Sequence, residues 1–351
     1  MNKRRIHILY EHGKDYRPFG SAFIRLIRPF SHPTLQKVFD VSFGTDIITG
    51  SFVDAVIIDR LWRTDVTIKL AERLVNNIRQ SGAKIIYALD DNFHDILPHH
   101  DDQRIQIRLP IVDFFLSQAD GVIVTTPSLM KAYAESSSNI VVLRHALDER
   151  LLIPRPSTFT FNRSPITIGY MGTMTHDDDL LMILPALKEV CINHPGELEV
   201  QIVGGIGNQD TRRQIDKLPI RYVFPTQTEH EYPLFMLWYT GQIDWDIAIA
   251  PLKDTNFNQS KSDIKFLDYC AIAAAGIFSR VAEYPTSVRH LNNGWLVDNH
   301  SDSWVEAIET LLSDDQLRQT IATNAYTYLL SERILARRAG DWVGAVKRLL
   351  D

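Results

Sequence analysis

The stretch ITIGYMGTMTHDDD, residues 166–179, decides the fold class. It opens as a short apolar run closing on glycine, passes through hydroxyl residues, and reaches three aspartates, Asp177, Asp178 and Asp179. Acidic side chains favour the positive end of a helix dipole, so the order is buried strand, tight turn, helix start. Gly172 lets a ligand approach the backbone closely, and Thr173 and Thr175 place hydroxyls beside N–H groups exposed at a helix start. Two readings follow. One is an anion cradle, which must lie on the Gly172 and Thr173 side because the aspartates repel phosphate. The other is an ordinary strand-to-helix turn capped by Thr175 or an aspartate.

The same alternation continues downstream. A helix runs from about Asp179 to Asn193, then LEVQIVGG (198–205), IRYVFP (220–225), DIAIAPL (246–252), a helix around Ile264 to Ala275, and GIFS (276–279). Upstream, IHILY (6–10) precedes AFIRLIRPF, and AVIIDR (55–60) precedes a helix through about Gln80. KIIYALDD (84–91) and DGVIVTT (120–126) follow, the latter with a helix start at Pro127 and Ser128. Short apolar runs alternating with amphipathic helices imply parallel sheets wrapped by helices, an α/β, Rossmann-like architecture.

Between the two series, IPRPSTFTFNRSP (153–165) has three prolines and no apolar period, which marks a linker. The expected organisation is a first domain over 1–152, the linker 153–165, a second domain over 166–330, and a closing helix over 331–351. That helix should pack back toward the first domain and brace both. From Asp302 to Asp351 the chain reads as helical throughout, with Trp304, Ile308, Leu311 and Leu312, then Trp342, Val343, Val346 and Leu349, at helical spacing. Tandem sheets of this kind imply parallel strands facing a cleft, since such sheets bind ligands at their carboxyl ends.

The 351 residues, 45% hydrophobic and 23% charged, suffice for two cores. A net charge of −6 gives no attraction to nucleic acid, and none is expected as a partner. The two cysteines, Cys191 and Cys270, sit in apolar segments as core fillers, which fits a reducing compartment. The apolar run after the basic start is too short for a signal peptide, and no stretch nears the roughly 18 apolar residues of a membrane span. The expected location is the cytoplasm.

A second feature is APLKDTNFNQSKSDIKFLDYCAIAAAG (250–276), a strand end, a polar loop, and a helix that turns apolar. Lys253, Asn256, Asn258, Ser260, Lys261 and Ser262 precede the helix, and together with its N-terminus they suit a diphosphate. Lys265 and Asp268 share a helix face, where the carboxylate suits two ribose hydroxyls and the lysine the phosphates. The plainer reading is a solvated surface pair. In the first half, ALDDNFHDILPHH (88–100) concentrates Asp90, Asp91, His94, Asp95, His99 and His100, and leaves acid, base, metal and simple helix-capping readings open.

The series GYMGTMTHDDDL, VQIVGG, WDIAIAPL, SKSDIKFLDY and NNGWLVDN, in that order, resembles the C-terminal domain of GT-B glycosyltransferases related to family 4. ADGVIVTTPSLMKAY (119–133) and VLRHALDERLL (142–152) resemble the end of the N-terminal domain of the same group. The resemblance implies transfer of a sugar, with retention, from a nucleotide-diphosphate sugar to a saccharide or lipid-linked acceptor, as in bacterial polysaccharide assembly. It implies no cofactor and no metal, because helix dipoles and basic side chains usually neutralise the diphosphate in these enzymes. The donor would lie mainly on the second domain and the acceptor mainly on the first.

Carried over residue by residue, Asp268 matches the second carboxylate of the family's Glu-x7-Glu pattern, which grips the ribose. Ser260 stands where the first carboxylate belongs, followed by Lys261. Gly172 and Thr173 match the glycine-rich turn facing the diphosphate, but the family's usual Arg and Lys are absent and His176 stands near the lysine's place. That shifts phosphate contact to Lys261 and Lys265. Phe224 lies where the backbone commonly meets the nucleobase, and Gly20 and Ser21 where paired glycines face the cleft on the acceptor side, with Asp90. Asp91 or His94 would bind or deprotonate the acceptor hydroxyl, and Lys261 would stabilise the departing diphosphate. His145, in the place of a hinge asparagine, reads as structural. Arg25 and Arg28 on an otherwise apolar helix allow a peripheral membrane contact, with core packing the plainer account. The alternatives are a non-catalytic domain binding a glycan or a protein partner, and a sugar-nucleotide epimerase of the same fold.

Overall fold

The computed structural model describes residues 3–47, 52–96, 102–156, 164–173 and 176–351. Thr175, His99, His100 and most of the linker, 157–163, lie outside the described residues. The chain forms two compact units. The first comprises Met1–Glu149, Ser260–Ser262 and Ile334–Asp351, and the second Arg150–Gln259 and Asp263–Arg333.

The first unit holds a six-stranded parallel sheet of β1 (Arg4–Leu9), β2 (Phe39–Gly44), β3 (Ala55–Asp59), β4 (Lys84–Leu89), β5 (Gly121–Val124) and β6 (Ile140–Val142), in the order β2-β1-β3-β4-β5-β6. Every residue of β3 is buried, as a strand covered on both faces requires. Successive side chains point to opposite faces. Val56 and Ile58 join a core with Leu74, Val75 and Ile78 of the helix Ile68–Gln80. Ala55 and Ile57 join another with Leu26, Phe30, Leu335, Trp342, Val346 and Leu349. The closing helix, Leu335–Leu350, thus buries its apolar stripe on the first sheet.

The second unit repeats the plan with β7 (Ile166–Gly172), β8 (Leu198–Gly204), β9 (Ile220–Val223), β10 (Ile247–Ala250), β11 (Ala275–Ser279) and β12 (Trp295–Val297), in the order β12-β11-β10-β7-β8-β9. All described pairings are again parallel. Renumbered from β7, this is the 3-2-1-4-5-6 order of a dinucleotide-binding Rossmann sheet. The helix expected to reach Ala275 stops at Ala271, because Ala273 takes a left-handed φ of 55° and Ala275 already belongs to β11. The C-terminal segment is likewise three helices, Ser301–Ser313, Asp315–Glu332 and Leu335–Leu350, rather than one continuous run.

Candidate functional site

Open parallel sheets receive ligands at the carboxyl ends of their strands, where the strand order reverses. In the second unit that point lies between β7 and β10, whose ends are Gly172 and Ala250. Gly172 is paired in register with Gly204, and a Cβ on Gly204 would fall 2.0 Å from the Gly172 carbonyl oxygen. The Gly205 N–H donates to that same oxygen at 3.2 Å, so the end of β7 is stitched to the end of β8. Thr173 follows in an exposed position.

The aspartates opening the helix Asp177–Asn193 gather the neighbouring loops. Asp177 accepts from the backbone N–H groups of Gly207 and Asn208 at 3.2 and 2.6 Å. Buried Asp179 accepts from the Lys253 N–H at 2.7 Å and from His176 Nδ1 at 2.8 Å. Carboxylates therefore already answer the positive end of this helix, and the surface left for an anion is that of Gly172 and Thr173.

Lys265 and Asp268 are not a solvated pair. The Lys265 ammonium lies over the Tyr170 ring, 5.0 Å from its centroid. Asp268 is 6% exposed, and among the described residues no hydrogen bond reaches its carboxylate. Burial pushes that carboxyl up to about 7, with Lys265 pulling only partly back. Its neighbour Tyr269 donates to the Ile249 carbonyl at 2.9 Å and accepts from the Met171 N–H at 3.2 Å, which locks the helix Ile264–Ala271 to β7 and β10. Asp263, at the start of that helix, is tied up by Arg333 at 2.7 and 3.0 Å. Phe224 is 58% exposed and stacks on Tyr222, which in turn carries the Arg212 guanidinium on its ring.

Ser260 and Lys261 group with the first unit. The Ser260 carbonyl accepts from Thr126 Oγ1 at 3.1 Å, and Lys261 Nζ lies 2.6 Å from Asp91 Oδ1. Burial raises the Asp91 carboxyl, but Lys261 and Arg60 outweigh it and hold it at about 2. A carboxylate so stabilised is a weak base at neutral pH. His94 is exposed and paired with Asp113 at 2.7 Å. Gly20 opens the first helix with open space where a Cβ would stand, and Ser21 is half-buried beside it.

In the first unit the strand order reverses between β1 and β3, and there the structure places a charge network whose members the sequence reading left apart. Asp59, which ends β3, is fully buried and pairs with Arg25, and its other oxygen accepts from the Glu11 N–H at 3.0 Å. Asp90, after β4, lies 3.2 Å from Arg25 Nε and 3.4 Å from Arg60 Nη1. Arg60 also meets Glu11 at 3.2 Å and covers the Phe93 ring, with its backbone at a left-handed φ of 46°. Burial carries the Glu11 carboxyl to about 7, Arg60 notwithstanding. Arg25 belongs to a π-helical turn, Phe23–Ile27, a distortion that recurs at functional sites. Arg28, one turn on, pairs with Asp148. Both cations of this helix therefore face carboxylates of their own unit, and Phe23, Leu26 and Phe30 are buried.

Among the described residues no group of three or more His, Cys, Asp or Glu side chains could hold a metal ion, and no helix is long and apolar enough to cross a membrane.

Residues 165–314 match the model of a family described as glycosyl transferases group 1. No curated protein matches the chain. Among solved structures, the chain superposes on HepE of Anabaena, crystallised with UDP and glucose, with a TM-score of 0.65 at 15% identity, covering 98% of this chain and 99% of that one. A sucrose-phosphate synthase from Thermosynechococcus elongatus gives 0.70 at 14% identity, with 99% of each chain covered. A glycosyltransferase from Rickettsia africae gives 0.63 at 13% identity over the whole of both chains. At these identities the likeness is one of fold, and it embraces both parallel-sheet units.

Proposed function

We propose that this protein is a glycosyltransferase that moves a sugar from a nucleotide-diphosphate donor to a saccharide or lipid-linked acceptor. The donor is assigned to the second unit and the acceptor to the first. The observation that carries the reading is Asp268, a buried carboxylate beside Lys265, on the helix locked to the strands at the reversal point of a 3-2-1-4-5-6 sheet. A carboxylate there suits the two hydroxyls of a ribose, and the Gly172–Thr173 turn suits a diphosphate. The family model covering residues 165–314 and the fold likeness to HepE support the same reading.

The reaction we assign is metal-independent and retaining, with Lys265 and backbone N–H groups meeting the departing diphosphate. Lys261 pairs with Asp91, which with a pKa near 2 acts as the partner of a cation rather than as a base. The free thiols Cys191 and Cys270 fit a cytoplasmic setting.

A thermal-shift screen of the full chain against nucleoside diphosphates and their sugars tests this. One nucleobase raises the melting temperature by mass action, and Asp268→Ala abolishes the shift and sugar transfer with it. No shift with any nucleotide would sink the reading. A second reading, a non-catalytic domain that binds a glycan or a partner, is favoured by the pairing of Lys261 with Asp91 and by Ser260 in place of a carboxylate. Nucleotide binding without release of nucleoside diphosphate in the presence of acceptor would select it.

A further inference from the structure

The chain carries a net charge of −6, yet the edge of the first sheet where its strands begin is basic. Some of the cations there have partners within the fold. Lys3 donates to the Gln36 carbonyl at 2.6 Å and Lys84 to the Leu350 carbonyl at 2.7 Å, so each answers the carbonyls at the end of a helix. Arg4 pairs with Asp54 at 3.2 Å, and Arg79 with Asp120 at 2.7 Å. Four more, Arg5, Lys37, Lys347 and Arg348, are exposed, and their side chains have no hydrogen-bond or ionic partner among the described residues. Arg5 lies in the first turn of β1, Lys37 follows the helix Pro33–Gln36, and Lys347 and Arg348 occupy the last turn of the closing helix, whose final carbonyls Lys84 holds. The acids left to face them are the exposed Asp40, opposite Arg5 in register, and Asp351.

Helix ends account for the cations that reach carbonyls, but not for four that reach nothing. Like charges gathered with too few counter-charges repel one another, and an anionic surface relieves that repulsion. The same edge also holds an apolar group. A cavity of about 660 Å³ opens there, lined by Lys3, Arg4, Arg5, Asp40, Phe52 and Asp54. Phe52 is 66% exposed, whereas the next residue, Val53, is buried. A single exposed apolar side chain is ordinary on a protein surface. A phenyl ring among cations, however, matches the two layers of a bilayer surface, phosphates outermost and the acyl boundary beneath. A nucleic-acid duplex offers the cations the same phosphates but no apolar layer for the ring. The helix bearing Arg25 and Arg28 offers neither contact, since both cations pair with carboxylates and Phe23, Leu26 and Phe30 are buried.

We propose that this face, at the amino ends of the strands of the first sheet, docks on an anionic lipid bilayer, with Phe52 entering the headgroup layer and Arg5, Lys37, Lys347 and Arg348 meeting lipid phosphates. The described pairings of the sheet are all parallel, so the face lies opposite the carboxyl ends where such sheets receive ligands, and docking leaves that edge open. The inference goes beyond the glycosyltransferase reading and does not depend on it, although a lipid-linked acceptor would be met at the same surface. Each cation near an anionic bilayer contributes about fivefold to partition onto it, and salt screens the attraction.

Co-sedimentation of the full chain with vesicles tests it, comparing about one-third phosphatidylglycerol in phosphatidylcholine with phosphatidylcholine alone. The chain binds the anionic vesicles, binds the neutral ones at least about tenfold more weakly, and loses most of the anionic binding between about 50 and 300 mM salt. Lys37→Gln, Lys347→Gln and Arg348→Gln combined lower the partition coefficient about a hundredfold, and Phe52→Ser about tenfold. All four side chains are exposed, so both variants keep the melting temperature. Lys14→Gln with Arg17→Gln, which removes exposed cations elsewhere in the same unit, binds as the unaltered chain does. No binding to anionic vesicles at about 50 mM salt, or binding that the triple variant leaves intact, would overturn the docking face. So would tighter binding to a DNA duplex than to the vesicles, lost in the same triple variant. Vesicle binding by a chain that shows no shift with any nucleotide would uphold the face and overturn only the reading of the second unit.

Discussion

Asp268 and Asp91 face the same contest between burial and neighbouring cations, with opposite outcomes. At Asp91 two cations win. At Asp268 burial wins, and its folded value of about 7 lies above the roughly 3.9 of an unfolded aspartate. The folded state therefore holds the Asp268 proton more tightly, and stability falls as pH rises from about 4 toward and through 7. Above that the ionised, desolvated carboxylate costs on the order of a few kcal/mol. Asp268→Asn removes the charge at nearly constant volume. It should shift the urea midpoint upward at pH 8, change it little at pH 4.5, and weaken nucleotide binding at both. Equal destabilisation at the two pH values would contradict the burial account. The proximity of Lys265 and Asp268 was legible in the sequence, since residues three apart share a helix face. Arg25 and Asp59, 34 residues apart, were not, because their meeting depends on which strands lie side by side.

Among the elements, β7 leads into the proposed donor turn and is also the strand the sequence marked most sharply, its observed span of Ile166–Gly172 coinciding with the apolar run. Its end tolerates little. Gly204 has a φ of 108°, and an added Cβ would strike the Gly172 backbone oxygen, which has nowhere to go. At Gly172 itself the Cβ would meet the Tyr170 hydroxyl at 2.5 Å and two of its ring carbons at 2.8 and 2.9 Å, a side chain rather than backbone, and Gly172 is not among the residues of left-handed φ. Gly204→Ala should thus cost about 3 kcal/mol or more, from strain plus clash, and Gly172→Ala distinctly less. Chemical denaturation of the pair gives the order, and a reversed order would refute this picture of the β7–β8 junction. Other elements were hidden for local reasons. In β2 buried and exposed positions mix along a sheet edge, and Pro110 inside the helix Asp102–Gln118 breaks the periodicity by which helices are recognised.

At the scale of the molecule, two parallel sheets follow from the alternation of apolar runs and helices, but the sharing of segments between units does not. The chain enters the second unit at Arg150, lends Ser260–Ser262 to the first, and returns to the first at Ile334. Short-range patterns specify what a segment becomes, while its place depends on which apolar face remains uncovered. For Leu335–Leu350 that face is the side of the first sheet presenting Ile6, Ile8, Ile57 and Ile86, where Trp342 is 2% exposed. Deleting so large a buried ring leaves a cavity the sheet cannot close. Trp342→Ala should therefore cost about 3–5 kcal/mol. Native-state hydrogen exchange locates the loss, with protection falling in β1, β3, β4 and the closing helix while β7, β10 and β11 keep theirs. A loss spread evenly through both sheets would contradict a core that belongs to the first unit alone.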